Sequence, residues 1–173
     1  MKKILVAVTG GISAYKALDV ISGLKKSGFY VSVMQTENSK HFVTRAALEN
    51  IADKYWVEDW NSPVHIKATD DIDAFVLVPA TANTIAKIAH GIGDNLVTDS
   101  ILALPKNCIK IFCPAMNSRM LDNPVVIDNR SIMYEYGWKV IDSVVGKLAC
   151  GTTGMGKLPP TRDIVSKIIE IMG

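Results

Sequence analysis

The stretch Ile4-Leu5-Val6-Ala7-Val8-Thr9-Gly10-Gly11-Ile12-Ser13-Ala14-Tyr15-Lys16 decides the fold. Five consecutive apolar residues without polar alternation are what a strand buried on both faces requires, and such strands belong to parallel sheets. The run stops at two glycines and passes directly into a helical pattern. Ala14, Ala17, Leu18, Ile21 and Leu24 recur at helical spacing, while Lys16, Lys25 and Lys26 fall off that stripe. Gly28 stands where a left-handed residue ends a helix, so a helix is predicted from Ala14 to about Ser27. Tyr30 to Gln35 reads as the next strand.

Outward from this unit the pattern repeats. Ala74 to Val78 runs into Pro79-Ala80-Thr81-Ala82-Asn83-Thr84 and a helix, and Ile109 to Cys113 runs into Pro114-Ala115-Met116-Asn117. Strands alternating with helices predict an α/β fold: a doubly wound parallel sheet in a three-layer sandwich, Rossmann-like or flavodoxin-like. A further helix is expected from about Pro124 to Tyr136 with Gly137 as its stop, then a strand from Trp138 to Asp142. Thr161 is expected to cap a last helix with the stripe Ile164, Val165, Ile168, Ile169 and Met172. Between them Val144 to Pro160 holds Gly146, Gly151, Gly154, Gly156, Pro159 and Pro160. A structureless loop of that length is usually functional, so 144–160 is expected to be a mobile clamp. No linker interrupts residues 1–173, which read as one domain.

Composition narrows the function classes. The 173 residues carry 19 Lys plus Arg against 17 Asp plus Glu, a net +2, with no basic block and no aromatic interleaving, which predicts no nucleic-acid partner. The longest uncharged apolar runs hold about five residues where a bilayer needs about 20, which predicts no membrane span. The first apolar run stops too early for a secretory signal, and the expected location is the cytoplasm. Three cysteines make no disulfide framework, and no Cys/His spacing resembles a metal site, so no metal is expected. A mean hydropathy of +0.21 is apolar for a lone soluble domain and points to surface buried between subunits.

Ligands of open α/β sheets bind beyond the carboxyl ends of the strands, so the three post-strand loops should converge. Gly10-Gly11-Ile12-Ser13 lets backbone N–H groups approach an anion at the positive end of a helix, although a glycine pair there is as often a plain tight turn. It matches neither the dinucleotide nor the Walker fingerprint. Thr36, Glu37, Asn38 and Ser39 suit a monophosphate or polyol; Glu37 keeps a ribose contact open, and the same cluster also reads as a helix cap. Pro79 to Thr84 is small and polar, which lets a flat ring lie against backbone amides.

Together these loops resemble the flavin-dependent cysteine decarboxylases over nearly the whole chain. The resemblance rests on Gly10 to Lys16, His65-Ile66, Pro79 to Thr84, Pro114-Ala115-Met116-Asn117-Ser118-Arg119-Met120, and Leu148-Ala149-Cys150-Gly151-Thr152-Thr153-Gly154-Met155-Gly156-Lys157. It implies bound FMN, with the flavin near Ala82, Asn83, Thr84, Ile85 and Met116 and the phosphate near Gly10, Gly11, Ile12, Ser13, Thr36 and Ser39. It implies a small-molecule substrate, 4′-phosphopantothenoylcysteine, decarboxylated to 4′-phosphopantetheine for coenzyme A. The alternatives are a peptidyl-cysteine decarboxylase of peptide-antibiotic maturation and a regulatory flavoprotein without catalysis.

The resemblance also distributes roles. His65, which by residue type alone reads as a cap or core histidine, becomes the base near the substrate thiol. Asn117 holds the substrate carboxylate, Cys150 protonates the ene-thiolate left by CO₂, and Lys147, Ala149, Lys157 and Leu158 contact substrate. Peptide-directed relatives stop at the ene-thiol and need no such acid, so Cys150 favours the coenzyme A substrate. Relatives place the site between subunits of a trimer, sometimes assembled into a dodecamer. Two departures stand out: Met120-Leu121 where the family commonly has Met and an aromatic, and Gly154-Met155-Gly156-Lys157-Leu158 where it commonly has Gly-x-Gly-Arg-Met. Lys157 keeps the charge and loses arginine's fork.

Overall fold

A computed structural model describes residues 1–173. The chain begins with strand β1 (Lys3–Val8), a 3₁₀ turn (Ile12–Lys16), helix α1 (Ala17–Lys26) and β2 (Tyr30–Gln35). A second 3₁₀ turn (Glu37–His41), α2 (Arg45–Ile51), β3 (Lys54–Tyr55), α3 (Val64–Thr69) and β4 (Ala74–Ala80) follow. Then come α4 (Ala82–Ala89), α5 (Leu96–Leu102), β5 (Ile109–Pro114), α6 (Ser118–Leu121), α7 (Pro124–Glu135) and β6 (Lys139–Val140). The chain closes with β7 (Val144–Lys147), β8 (Thr153–Lys157) and α8 (Thr161–Met172).

Six strands form one parallel sheet in the order β3-β2-β1-β4-β5-β6. This is the Rossmann order, in which the connection reverses between β1 and β4. Ile4, Val6 and Val8 share one face with Val31, Val76 and Ile111 and pack on α1 and α8, whose Ile21, Leu24, Ile164 and Ile168 are fully buried. Leu5, Ala7, Phe75, Leu77 and Phe112 face the other way onto α3, α4, α5 and α7. Both faces are thus covered, which is why the central strands read as unbroken apolar runs. Cys113 lies in the first layer and Cys108 in the second, and burial pushes the Cys108 thiol up to about 11.

Several boundaries differ from the sequence reading. The first helix opens as a 3₁₀ turn at Ile12 and becomes regular at Ala17, ending where Gly28 adopts φ +89°. Pro160, extended at ψ 137°, forms the N-terminal boundary of α8, so Thr161 is its first residue and makes no cap. The strand expected over Trp138–Asp142 shrinks to a two-residue pairing at the sheet edge. The largest correction concerns 144–160, expected to be structureless: β7 and β8 pair as an antiparallel hairpin, Val144 opposite Lys157 and Lys147 opposite Thr153. Gly151, at φ +88°, supplies the left-handed residue of its turn, which any other side chain would strain. No helix is long and apolar enough to cross a membrane.

Candidate active site

The ends of β1, β2, β4 and β5 open onto a cavity of about 1150 Å³ at the β1–β4 switch point. The segment after β1 contributes Gly10, Gly11, Ile12 and Ser13. A Cβ at Gly10 would stand 2.6 Å from Asn38 Cβ, so glycine is what lets the loops after β1 and β2 approach. Gly11 is extended, no side chain caps the turn, and the N–H groups of Ile12 and Ser13 have no backbone acceptor. Beside them Thr36 lines the cavity with its Oγ1 buried and unpartnered. Free N–H groups next to an orphaned hydroxyl form a donor set that a phosphate ester satisfies.

Thr9 ties this loop to the next. Its buried hydroxyl donates to the Pro79 carbonyl at 2.7 Å and accepts from the Thr81 N–H at 3.2 Å. Thr81 then caps α4 by accepting from the Thr84 N–H, which turns Ala82, Asn83 and Thr84 into the cavity. Lys87, one turn further along α4, and Asp94 also line it and form an ion pair. The hydrogen bond from Lys87 holds the Asp94 carboxyl below its ordinary range. Sequence reasoning missed this pair; the available signal was that Lys87 stands four residues after Asn83, on the same helix face. Asn38, offered by the sequence with its neighbours, also lines the cavity, as do Tyr15, Lys16, Asn95 and Met120, to which the sequence assigned no site role.

After β5 the chain places Met116 and Asn117 in the cavity. Asn117 caps α6 with its Oδ1, which accepts from the Arg119 N–H at 2.9 Å, and this leaves Nδ2 free to donate to Cys150 Sγ at 3.1 Å. Cys150 is exposed in the hairpin turn and shares a second hydrogen bond of 3.1 Å with Thr152 Oγ1. The Thr152 contacts, with help from Asn117, draw the Cys150 thiol below its ordinary value. A thiolate is stabilised by such donors, so this thiol gives up a proton more readily than an isolated one.

The hairpin also brings Lys147, Ala149, Lys157 and Leu158 to the cavity. Lys16, Lys147 and Lys157 have no carboxylate partner, whereas the lining acids Glu37 and Asp94 are paired with Lys40 and Lys87. The uncompensated charge favours an anionic ligand. The hairpin is docked where the Met116 N–H donates to the Gly156 carbonyl at 3.1 Å. Gly156 has φ +119°, and a Cβ there would lie 2.0 Å from Met116 O. Gly156→Ala is therefore expected to cost about 1–3 kcal/mol and to undock the hairpin. Hydrogen exchange checks this: faster exchange is expected over 144–157, with the amides of β1 and β4 unchanged.

Three expected site residues lie elsewhere. Ser39 is fully buried, its Oγ donating to the Thr36 carbonyl at 2.6 Å and accepting from Gln35 Nε2 at 2.9 Å, so it shapes the turn from behind. Ile85 points into the core because α4 turns that face toward the sheet. His65 lies in the first turn of α3 and borders a separate hollow of about 390 Å³ with Glu58, Asp59, Trp60 and Asp99, outside the main cavity.

The family model described as Flavoprotein matches residues 1–173. The chain belongs to this flavoprotein family. The flavoprotein is 40% identical over 175 residues to a Streptococcus mutans protein named probable phosphopantothenoylcysteine decarboxylase, covering 98% of each. It spans only 44% and 41% of two bifunctional coenzyme A biosynthesis proteins that it also matches. Among solved structures, a cysteine-to-serine variant of PPC decarboxylase complexed with pantothenoylaminoethenethiol is similar at a TM-score of 0.88 and 27% identity, over 98% of this chain and 97% of that one. The peptidyl-cysteine decarboxylase EpiD is similar at 0.83 and 26%, over 98% and 99%. Family membership implies a flavin, and the cavity's free donors fit the phosphate of one.

Proposed function

We propose that this chain uses FMN to decarboxylate 4′-phosphopantothenoylcysteine to 4′-phosphopantetheine for coenzyme A synthesis, with residues 1–173 acting as one flavoprotein domain. The observation that carries the reading is the hydrogen bond from Asn117 to Cys150 at the cavity. It sets an amide able to donate to a carboxylate beside a thiol drawn below its ordinary value, the two groups called for by a decarboxylation that ends with a proton delivered to carbon. The 40% identity to the streptococcal protein supports the same substrate.

Bound FMN supplies a reversible hydride acceptor for the carbon bearing sulfur, which gives the electrons released with CO₂ somewhere to go. The chain's own residues do the rest. The N–H groups of Gly10, Gly11, Ile12 and Ser13 with Thr36 Oγ1 hold the cofactor phosphate, and Ala82, Asn83, Thr84 and Met116 border its ring. Asn117 Nδ2 orients the substrate carboxylate without a compensating positive charge. Loss of the negative charge as CO₂ is then not opposed, and binding favours the transition state over the ground state. Lys147 and Lys157 attract the substrate phosphate, and the hairpin with Ala149 and Leu158 acts as the clamp. Cys150 delivers a proton to the carbon that has lost CO₂.

His65 takes the proton of the substrate thiol, a task suited to imidazole near neutral pH. It stands outside the cavity of its own chain, so the reading requires a second copy to deliver it in a homo-oligomer, a trimer or a dodecamer. Trp60, 91% exposed, and Ile66, 42% exposed, offer apolar surface beside His65 for that contact.

Purified protein offered phosphopantothenoylcysteine, and separately a cysteine-terminated peptide, tests the reading. One FMN per chain is expected by mass spectrometry of the released ligand, with CO₂ and phosphopantetheine from the first substrate. Recovery of a dinucleotide, or turnover of the peptide alone, overturns it.

A further inference from the structure

The root of the hairpin is held by an ion pair that none of the site motifs contains. Asp142 is two residues before β7 and α7 carries Arg130, whose side chain is only 14% exposed. Arg130 Nη2 donates to both Asp142 carboxylate oxygens at 3.0 Å and to Tyr134 Oη at 3.0 Å. Arg130 Nε is buried without a partner. A guanidinium is kept in so enclosed a place only if its remaining contacts are strong, so Asp142 is its main compensation. Tyr134 in turn packs on Phe112 of β5, with ring centroids 5.8 Å apart.

These contacts form a closed path. From Phe112 the chain runs through the end of β5 to Asn117, which caps α6 and whose Nδ2 reaches Cys150. Also from Phe112, contacts run through Tyr134 and Arg130 to Asp142, which accepts the Ser143 N–H and starts the hairpin that carries Cys150. Both members of the Asn117–Cys150 contact are thus anchored to one strand, Asn117 by the chain and Cys150 through the ion pair.

We propose that Arg130 and Asp142 are a positioning pair that sets where Cys150 stands relative to Asn117 and Thr152, and so governs its readiness to deliver a proton. The inference rests on the reaction assigned above, but its physical content concerns the thiol alone. The charged groups lining the cavity around that thiol are Lys147 and Lys157 on the hairpin, Lys16 after β1, and the paired residues Glu37, Lys87 and Asp94. None of them belongs to the pair.

The test is alkylation of Cys150 by iodoacetamide as a function of pH, read by mass spectrometry of the holoprotein. Cys108 and Cys113 are buried, so the modified site is distinguishable. In the wild-type protein the midpoint should lie below that of an ordinary thiol. Asp142→Asn, nearly the same in shape, should raise it and slow alkylation at pH 7 by about three- to tenfold, with retained flavin and circular dichroism unchanged. Arg130→Lys, which keeps the charge and loses the fork, should give an intermediate midpoint and serves as the decisive variant should Asp142→Asn unfold. Wild-type midpoints in the folded variants overturn the proposal. A wild-type protein that fails to decarboxylate phosphopantothenoylcysteine removes the reaction while leaving the alkylation result to stand by itself.

Discussion

Cys150→Ser is expected to split the reaction in two. Serine has nearly the size of cysteine, can accept the same hydrogen bond from Asn117 and can share one with Thr152, so cofactor binding, substrate oxidation and CO₂ release should persist. Its hydroxyl is a far weaker acid than a thiol already drawn below its ordinary value by those neighbours. Protonation of carbon should therefore fail. The yield of phosphopantetheine is expected to drop by about 10²- to 10⁴-fold, the usual contribution of a placed acid. In its place an ene-thiol two hydrogens lighter should accumulate, at about one equivalent per chain without oxygen and continuously with oxygen present to regenerate the cofactor. Mass spectrometry of the products separates these outcomes. Wild-type yield from the serine variant would remove both the role of Cys150 and the main reason to prefer this substrate over a peptide.

Mixing two inactive variants should restore activity. His65 borders one hollow of the chain and Cys150 another; in the proposed shared site the base would come from one chain and the acid from its neighbour. His65→Asn alone should bind FMN and fail at substrate oxidation, and Cys150→Ser alone should fail at the last proton transfer. Hybrid oligomers from an equal mixture place intact His65 opposite intact Cys150 in roughly a quarter of sites, the statistical share for a heterologous ring contact. Phosphopantetheine formation near that fraction of wild type is expected after co-refolding or co-expression. If activity stays at the level of the separate variants while the oligomer forms, His65 has no part in a shared site.

The central architecture was legible because its physical cause is local. Ile4 to Val8, Ala74 to Val78 and Ile111 to Cys113 are buried on both faces, and full burial leaves no polar alternation to confuse the reading. The glycine stops at Gly28 and Gly137 were legible for a similar reason, since both adopt the left-handed backbone that other residues resist. The edge strands were less legible. Lys139–Val140 was read only within a longer strand over Trp138–Asp142, and Lys54–Tyr55 was not read at all; each is two residues with an exposed lysine, and pairing with β5 and β2 sets their extent. Helix α5 did announce itself through a capping box in which Asn95 and Thr98 satisfy each other's backbone, a signal the sequence reading passed over. The four glycines of 144–160 hid the hairpin, because a strand of glycines shows no periodicity and its stability comes from partners across the turn.

Residue types and their order along the chain determined which chemistry the site has available: a thiol, an amide, an imidazole, lysines and small loops at strand ends. Tertiary structure alone decided which of them meet. Thr36 and Ser39 are equivalent as sequence, yet folding buries Thr36 Oγ1 without a partner beside the cavity and commits Ser39 to Gln35 and the Thr36 carbonyl. Asn117 and Cys150, 33 residues apart, touch because the hairpin docks through a glycine that admits Met116 O where a Cβ would clash. His65, equally marked by its motif, falls outside that cavity. Hydrogen-bond satisfaction and close approach depend on distances between segments remote in sequence, and those distances are set only when the two faces of the sheet are packed.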